Sequence, residues 1–148
     1  MSKILNMLMA FVMSFGISGS NVNPSDIPEN SNFEVHFIDV GQADSALIEC
    51  DGETMMIDGG NVADSNVVAA YLKKEDVTEL NYVVCSHAHE DHVGGLSGAL
   101  SVTKADNIYA PKTKANTKAY KNFKKKAEEQ NVEIKHPNVG DEIQLGSS

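Results

Sequence analysis

Tyr82-Val83-Val84-Cys85-Ser86-His87-Ala88-His89-Glu90-Asp91-His92-Val93-Gly94-Gly95 decides how the rest of the 148-residue chain is read. Its opening residues are aromatic, β-branched or small and apolar, the make-up of a buried strand. At the end of that run, three histidines and an aspartate fall within six positions. His87 and His89 are two apart, so in extended chain both rings leave the same side. Asp91 and His92 are adjacent and diverge unless the chain turns between them. Gly94 and Gly95 permit close backbone approach and a turn into the next element. Neutral imidazoles beside a carboxylate suit zinc, iron or manganese. Two donor pairs are what a two-metal hydrolytic centre requires. The bland alternative is a solvated polar loop, which leaves the gathering of these side chains at one strand end unexplained.

Working outward, residues 33–40 alternate and then turn continuously apolar, so a strand is expected, followed by a tight passage at Gly41-Gln42. A second strand is expected over 45–50. Asp51-Gly52 is a strong hairpin signal, so residues 54–57 should return antiparallel, ending at Asp58-Gly59-Gly60. Ser65 is a candidate cap for a helix over 66–74, with Val67, Val68, Tyr71 and Leu72 on one face. The central strand is expected over 82–86 and a helix over 95–100. A short strand comes next at 107–110, stopped by Pro111. A helix over 117–130 should turn Tyr120, Phe123 and Ala127 inward. Residues 132–135 and 142–145 read as further strands. Strands alternating with helices after an opening hairpin make an α/β layered fold.

Three motifs together carry a family resemblance. His87-x-His89-x-Asp91-His92 with Gly94-Gly95 resembles the HxHxDH signature of the metallo-β-lactamase fold. Phe37-Ile38-Asp39-Val40-Gly41-Gln42-Ala43-Asp44-Ser45 resembles the DVGQGDS segment of its ComEC-like, DNA-internalisation-type branch, with Ala43 where a glycine is usual. Met56-Ile57-Asp58-Gly59-Gly60 resembles the family's strand-ending acidic motif. The resemblance runs from about Phe33 to the C-terminus and implies an αββα sandwich of two similar halves. This chain supplies about the first half, truncated. The resemblance implies that His87 and His89 bind one ion and Asp91 and His92 a second. One or two Zn2+ ions are expected, with Mn2+ or Fe as alternatives. Asp91 would steer a metal-bound hydroxide or take up its proton. Asp58 would orient a histidine ring beside it. These two are the catalytic candidates.

The implied activity is hydrolysis of an ester or phosphodiester, with a small molecule, a nucleotide or nucleic acid as substrate. A β-lactam or thioester is a weaker reading. The family completes its site with histidines and an aspartate from its second half, and here the only later histidine is His136, before Pro137. It reads as a surface residue. The alternative expectation is therefore a truncated, non-catalytic metal-binding or interaction fragment with an exposed apolar sheet face. Protons compete for imidazole, so any such site is expected to weaken below about pH 6.

Composition bounds the rest. The length allows one domain. A formal net charge of −9 opposes broad electrostatic binding of nucleic acid. Seven lysines between positions 112 and 126 make a local exception; they read as a solvated helix face or as a patch for a nucleic-acid backbone. Cys50 and Cys85 read as two buried thiols, with a disulfide as the alternative. His36 reads as a half-exposed strand residue. Asp39 and Asp44 serve either the turn at Gly41-Gln42 or a pocket wall, and Gln42 could likewise face the site. Residues 1–20 have a basic start, an apolar centre and small residues after it, as in a secretory signal peptide, with an uncleaved membrane anchor as the alternative. Residues 21–32 read as a linker and 33–148 as the domain. That organisation implies a secreted or membrane-tethered, extracytoplasmic protein.

Overall fold

The computed structural model describes residues 32–147. The signal-peptide or anchor segment and nearly all of the linker fall outside the described residues.

One six-stranded sheet carries the fold, with strands in the order of the chain. They are β1 (Phe33–Phe37), β2 (Ala46–Cys50), β3 (Glu53–Ile57), β4 (Glu79–Val84), β5 (Lys104–Tyr109) and β6 (Ile134–Lys135). The first two pairings are antiparallel. Asp51 and Gly52, which join β2 to β3, both have positive φ, at 50° and 87°, the conformation that matches the twist of a two-residue hairpin. From β3 onward every pairing is parallel. Each parallel step needs a helical crossover. These are α1 (Ser65–Lys74), the pair α2 (Glu90–Val93) and α3 (Leu96–Val102), and α4 (Lys118–Glu129). Successive right-handed crossovers that always step the same way lay all their helices on one face. Accordingly Val68, Leu72, Leu96, Leu100, Phe123 and Ala127 share one buried cluster with Leu47, Met56, Val83 and Ile108 of the sheet.

The other face has thin cover. Cys50, Met55 and Leu145 form its small buried cluster, with Ile48, Ile57, Tyr82, Val84 and Ile143 only partly buried against it. Further along that face, Val35 is 41% exposed and Phe37 86%. Both pair into its apolar rows, Val35 with Ile48 and Phe37 with Ala46.

Several expectations need correction. Ser65 does not cap α1 from outside; it is the first helical residue, its hydroxyl donating to the Val62 carbonyl, and Asp64 is the cap. Val67 is exposed on that helix, because the buried stripe is Val68 and Leu72. The central strand begins at Glu79 and ends at Val84, releasing Cys85 and Ser86. Residues 142–145 form no strand; Leu145 packs with Cys50 and Met55. Thr117 caps α4 by accepting from the Tyr120 amide at 3.2 Å.

Two loops interlock at the sheet edge. The Gly59 amide donates to the His92 carbonyl at 2.7 Å, and the Gly95 amide to the Gly60 carbonyl at 3.0 Å. A Cβ added to Gly95 would run into the Gly59 carbonyl oxygen, and one added to Gly59 into the Leu96 amide. Backbone on backbone leaves nothing flexible to yield. Gly95→Ala should therefore cost about 1–3 kcal/mol of stability, read as a lower urea midpoint at unchanged slope. An unaltered midpoint would mean the two loops are not in contact.

Candidate metal centre

Sheet geometry brings the candidate residues together. Ile57 of β3 stands opposite Val84 of β4. The next residue along β3 is Asp58, whose amide donates to the Val84 carbonyl at 2.9 Å. Asp58 then takes φ of 55°, a left-handed conformation in which aspartate is among the tolerated residues. That bend turns its carboxylate under the chain leaving β4. The residue is 4% exposed, and a buried carboxylate must find donors. It finds three contacts. The Ser86 amide donates to Oδ1 at 2.8 Å, the Ser86 hydroxyl donates to Oδ2 at 2.5 Å, and His92 Nδ1 lies 2.9 Å from Oδ2.

These contacts set the histidine rings. A carboxylate only accepts, so the proton in its contact with His92 sits on Nδ1, and Nε2 keeps its lone pair. Ser86 has one hydroxyl proton and gives it to Asp58. Its oxygen, 3.0 Å from His87 Nδ1, then accepts, and His87 is likewise left with Nε2 free. His92 Nε2 and Asp91 Oδ2 are 3.6 Å apart. The chain does turn at this point: α2 begins at Glu90, which swings Asp91 and His92 to the same side. Donor atoms of His87, Asp91 and His92 all lie within 4.8 Å of one another. Two imidazoles and a carboxylate so close fit a divalent transition metal.

His89 sits differently. Its ring packs edge-on against His87, centroids 4.7 Å apart, but it is exposed and outside that three-donor group. The closest grouping thus draws His87 toward Asp91 and His92, where the sequence pairs it with His89. Asp44 joins the rim, its Oδ2 3.6 Å from His92 Nδ1 and its amide donating to the Asp91 carbonyl at 3.2 Å. Asp39 does turn work, accepting from the Gly41 amide at 3.1 Å. Gln42 is exposed. His136 is exposed and tied by Nδ1 to the Ala110 carbonyl at 2.8 Å. His36 is more enclosed than expected: its side chain is 17% exposed and lies 2.8 Å from the Tyr71 hydroxyl. Ser86 is the residue that sequence reasoning passed over. The available signal was a hydroxyl between the strand end and the first histidine.

Both cysteines are free and buried. Burial, with the Asp58 charge as a second cause, pushes the Cys85 thiol up to about 12. It therefore stays protonated at neutral pH and is no thiolate ligand.

Residues 38–146 match the family described as the Metallo-beta-lactamase superfamily. No match to a curated protein is found. Among solved structures, the chain is similar to the metallo-beta-lactamase SMB-1 bound to 2-mercaptoethanesulfonate, at 26% identity over 51% of this chain and 29% of that one, with a TM-score of 0.45. A motif mutant of a metallo-beta-lactamase from Cronobacter sakazakii matches at 20% identity over 52% of this chain and 30% of that one, TM-score 0.47. A diphosphatase of the PhnP family matches at 20% identity over 69% and 39%, TM-score 0.45. The chain therefore spans well under half the length of these structures.

Two outcomes are expected. Asn tolerates positive φ, so Asp58→Asn should fold. Its amide would donate to His92 Nδ1 and move the ring proton to Nε2. Zinc affinity in a chelator competition should fall about 10–100-fold; an unchanged value would uncouple Asp58 from the donors. Separately, the native protein should show essentially no thiol reactivity toward a disulfide reagent at pH 8, and both cysteines should react after unfolding. Fast reaction of the native chain would contradict the buried setting of Cys85.

Proposed function

The chain belongs to the metallo-beta-lactamase superfamily, and on that footing we propose that it is a metal-dependent hydrolase whose cation is held by His87, Asp91 and His92, with His89 on the open side of the same cluster. The observation that carries this reading is the convergence of three donor groups within 4.8 Å, two of them keyed through Asp58 and Ser86 to offer Nε2. A divalent cation there supplies Lewis acidity and a water that ionises near neutral pH; zinc is the first choice for this donor set, with manganese or iron next.

The remaining roles belong to the chain itself. Asp91 is half-buried, so its carboxylate borders solvent and can take a proton as well as ligate. Asp58 is 4% exposed, with its oxygens taken by Ser86 and His92; its role is to position His92. Asp44 stands at the rim, and it is the resemblance of its segment to the ComEC-like branch that favours an ester or phosphodiester substrate over a β-lactam. Nucleic acid is the weaker form of that substrate, given the net charge of −9. Residues 1–20 support an extracytoplasmic location through their leader-like pattern; among the described residues no helix is long and apolar enough to cross a membrane.

One observation favours a second reading. Among the described residues there is a single three-donor group, enough for one cation. A domain that binds one cation without turnover would have this arrangement.

The deciding measurement is hydrolysis of a chromogenic phosphodiester by the zinc-loaded chain. Asp91→Ala and His87→Ala should each lower kcat/KM by at least about 100-fold, and His89→Ala should also reduce it. Turnover indifferent to all three substitutions would sink the metal-site reading. Tight zinc binding with no turnover would establish the second reading.

A further inference from the structure

Strands β3 to β6 run parallel and end at one edge. Ligands of such sheets bind beyond the carboxyl ends of the strands. The segments leaving β3 and β4 supply Asp58 and residues 86–92, and so the metal centre. The segments leaving β5 and β6 build a different feature. A pocket of about 260 Å³ opens there, lined by Lys112, Thr113, Tyr120, Lys124, Ile134 and His136. None of these residues has been given a role by the metal-centre chemistry.

We propose that this pocket is an anion subsite that receives a phosphate group of a small substrate whose labile bond lies at the metal centre. The proposal rests on the hydrolase reading above and narrows its substrate class.

Charge points there first. In a chain of net charge −9, Lys112 and Lys124 are ammonium groups with no ion-pair partner among the described residues. By contrast, Lys125 and Lys126 of the same helix both pair with Glu129, at 3.7 and 2.8 Å. Among the described residues Lys118 and Lys121 of that helix are unpaired as well, so what sets Lys112 and Lys124 apart is that both line one pocket.

Preorganisation is the second argument. Lys124 lies over the Tyr120 ring, 5.6 Å from its centroid, an arrangement that holds a flexible side chain. His136 donates from Nδ1 to the Ala110 carbonyl at 2.8 Å, which fixes the ring in the pocket wall. Thr113 Oγ1 accepts from the Ala115 amide at 3.0 Å and braces the loop that carries Lys112. Lysine is a common phosphate binder acting as a point charge, and two of them on one pocket match an anion rich in acceptor oxygens.

Spacing is the third. From the tip of β4 to the tip of β6 is two strand separations, about 10 Å. That is the reach of a nucleotide-sized molecule. A polyanion is disfavoured, because the acidic remainder of the chain repels charge that extends beyond the pocket.

The test uses the full chain without metal, in chelator, titrated with inorganic phosphate and with a nucleoside 5′-monophosphate while amide NMR shifts are followed. Saturable shifts should map to Lys112, Thr113 and His136. Lys112→Ala, Lys124→Ala and their combination should weaken binding about tenfold or more per lysine, whereas Lys121→Ala, exposed on the same helix, should not. All variants should keep the native shift dispersion and bind zinc as the parent does. Non-saturable shifts scattered over surface lysines would overturn the proposal, as would parental affinity in the two single variants. Affinity that climbs with oligonucleotide length would replace it with a nucleic-acid face. Because the titration needs no metal, failure to bind zinc would sink the hydrolase reading and leave the subsite result standing.

Discussion

A buried carboxylate that cannot be left alone shapes the functional edge of this molecule. Asp58 is 4% exposed, and burying such a group without partners is strongly unfavourable. Its partners must therefore come to it, and they come from the chain leaving the next strand. Ser86 supplies an amide and a hydroxyl, and His92 supplies a ring nitrogen. Meeting that demand draws the end of β3, the end of β4 and the first turn of α2 into one knot. The approach is close enough that Gly59 and Gly95 meet backbone to backbone. The glycines are thus a consequence of the same constraint: a side chain at either position would hold the loops apart and open the carboxylate to water.

The knot also explains why the imidazoles are useful as well as present. A histidine free to rotate offers either nitrogen, and a ligand set of such rings loses entropy when it closes on a cation. Here the protons are assigned by acceptors lying beneath the rings, through Asp58 for His92 and through Ser86 for His87. Orientation is set before anything binds, which is how residues behind the ligands tune a site. His89 lacks such a support and is exposed, and that difference accounts for its place outside the close three-donor group.

The elements that were legible in the sequence were those set by local rules. The Asp51-Gly52 hairpin comes from positive φ, and the inward face of α4 from the spacing of Tyr120, Phe123 and Ala127. The histidine cluster at a strand end was visible from residue types alone. The features that escaped notice depend on distance in space. Ser86 becomes important only because Asp58 lies beneath it, a contact spanning 28 positions. Residues 142–145 have a strand's alternation yet form no strand, and Leu145 packs with Cys50 and Met55. Val67 is apolar but falls one residue off the stripe that faces the sheet. His36 looked half-exposed on an edge strand, and Tyr71 of α1 encloses it. In each case tertiary context overrode a pattern that local reading could not rank.

Metal binding and turnover need not have the same structural requirements in this fold. The groups that orient His87 and His92 lie where β3 and β4 end, at the rim of a sheet whose helix side is well covered. The helices bury that side completely at Leu47, Met56, Val83 and Ile108. The opposite side leaves Phe37 86% exposed and Ile57 and Val84 only partly covered, and a sheet with one apolar face open is an incomplete layer. The His87 and His92 rings do not depend on cover over that face, because Ser86 and Asp58 already hold them. A substrate does, since excluding water and fixing the labile bond need surfaces on both sides. The physics therefore separates two requirements: ring orientation is set by the knot at Asp58, whereas turnover of the proposed kind would also need walls around the substrate.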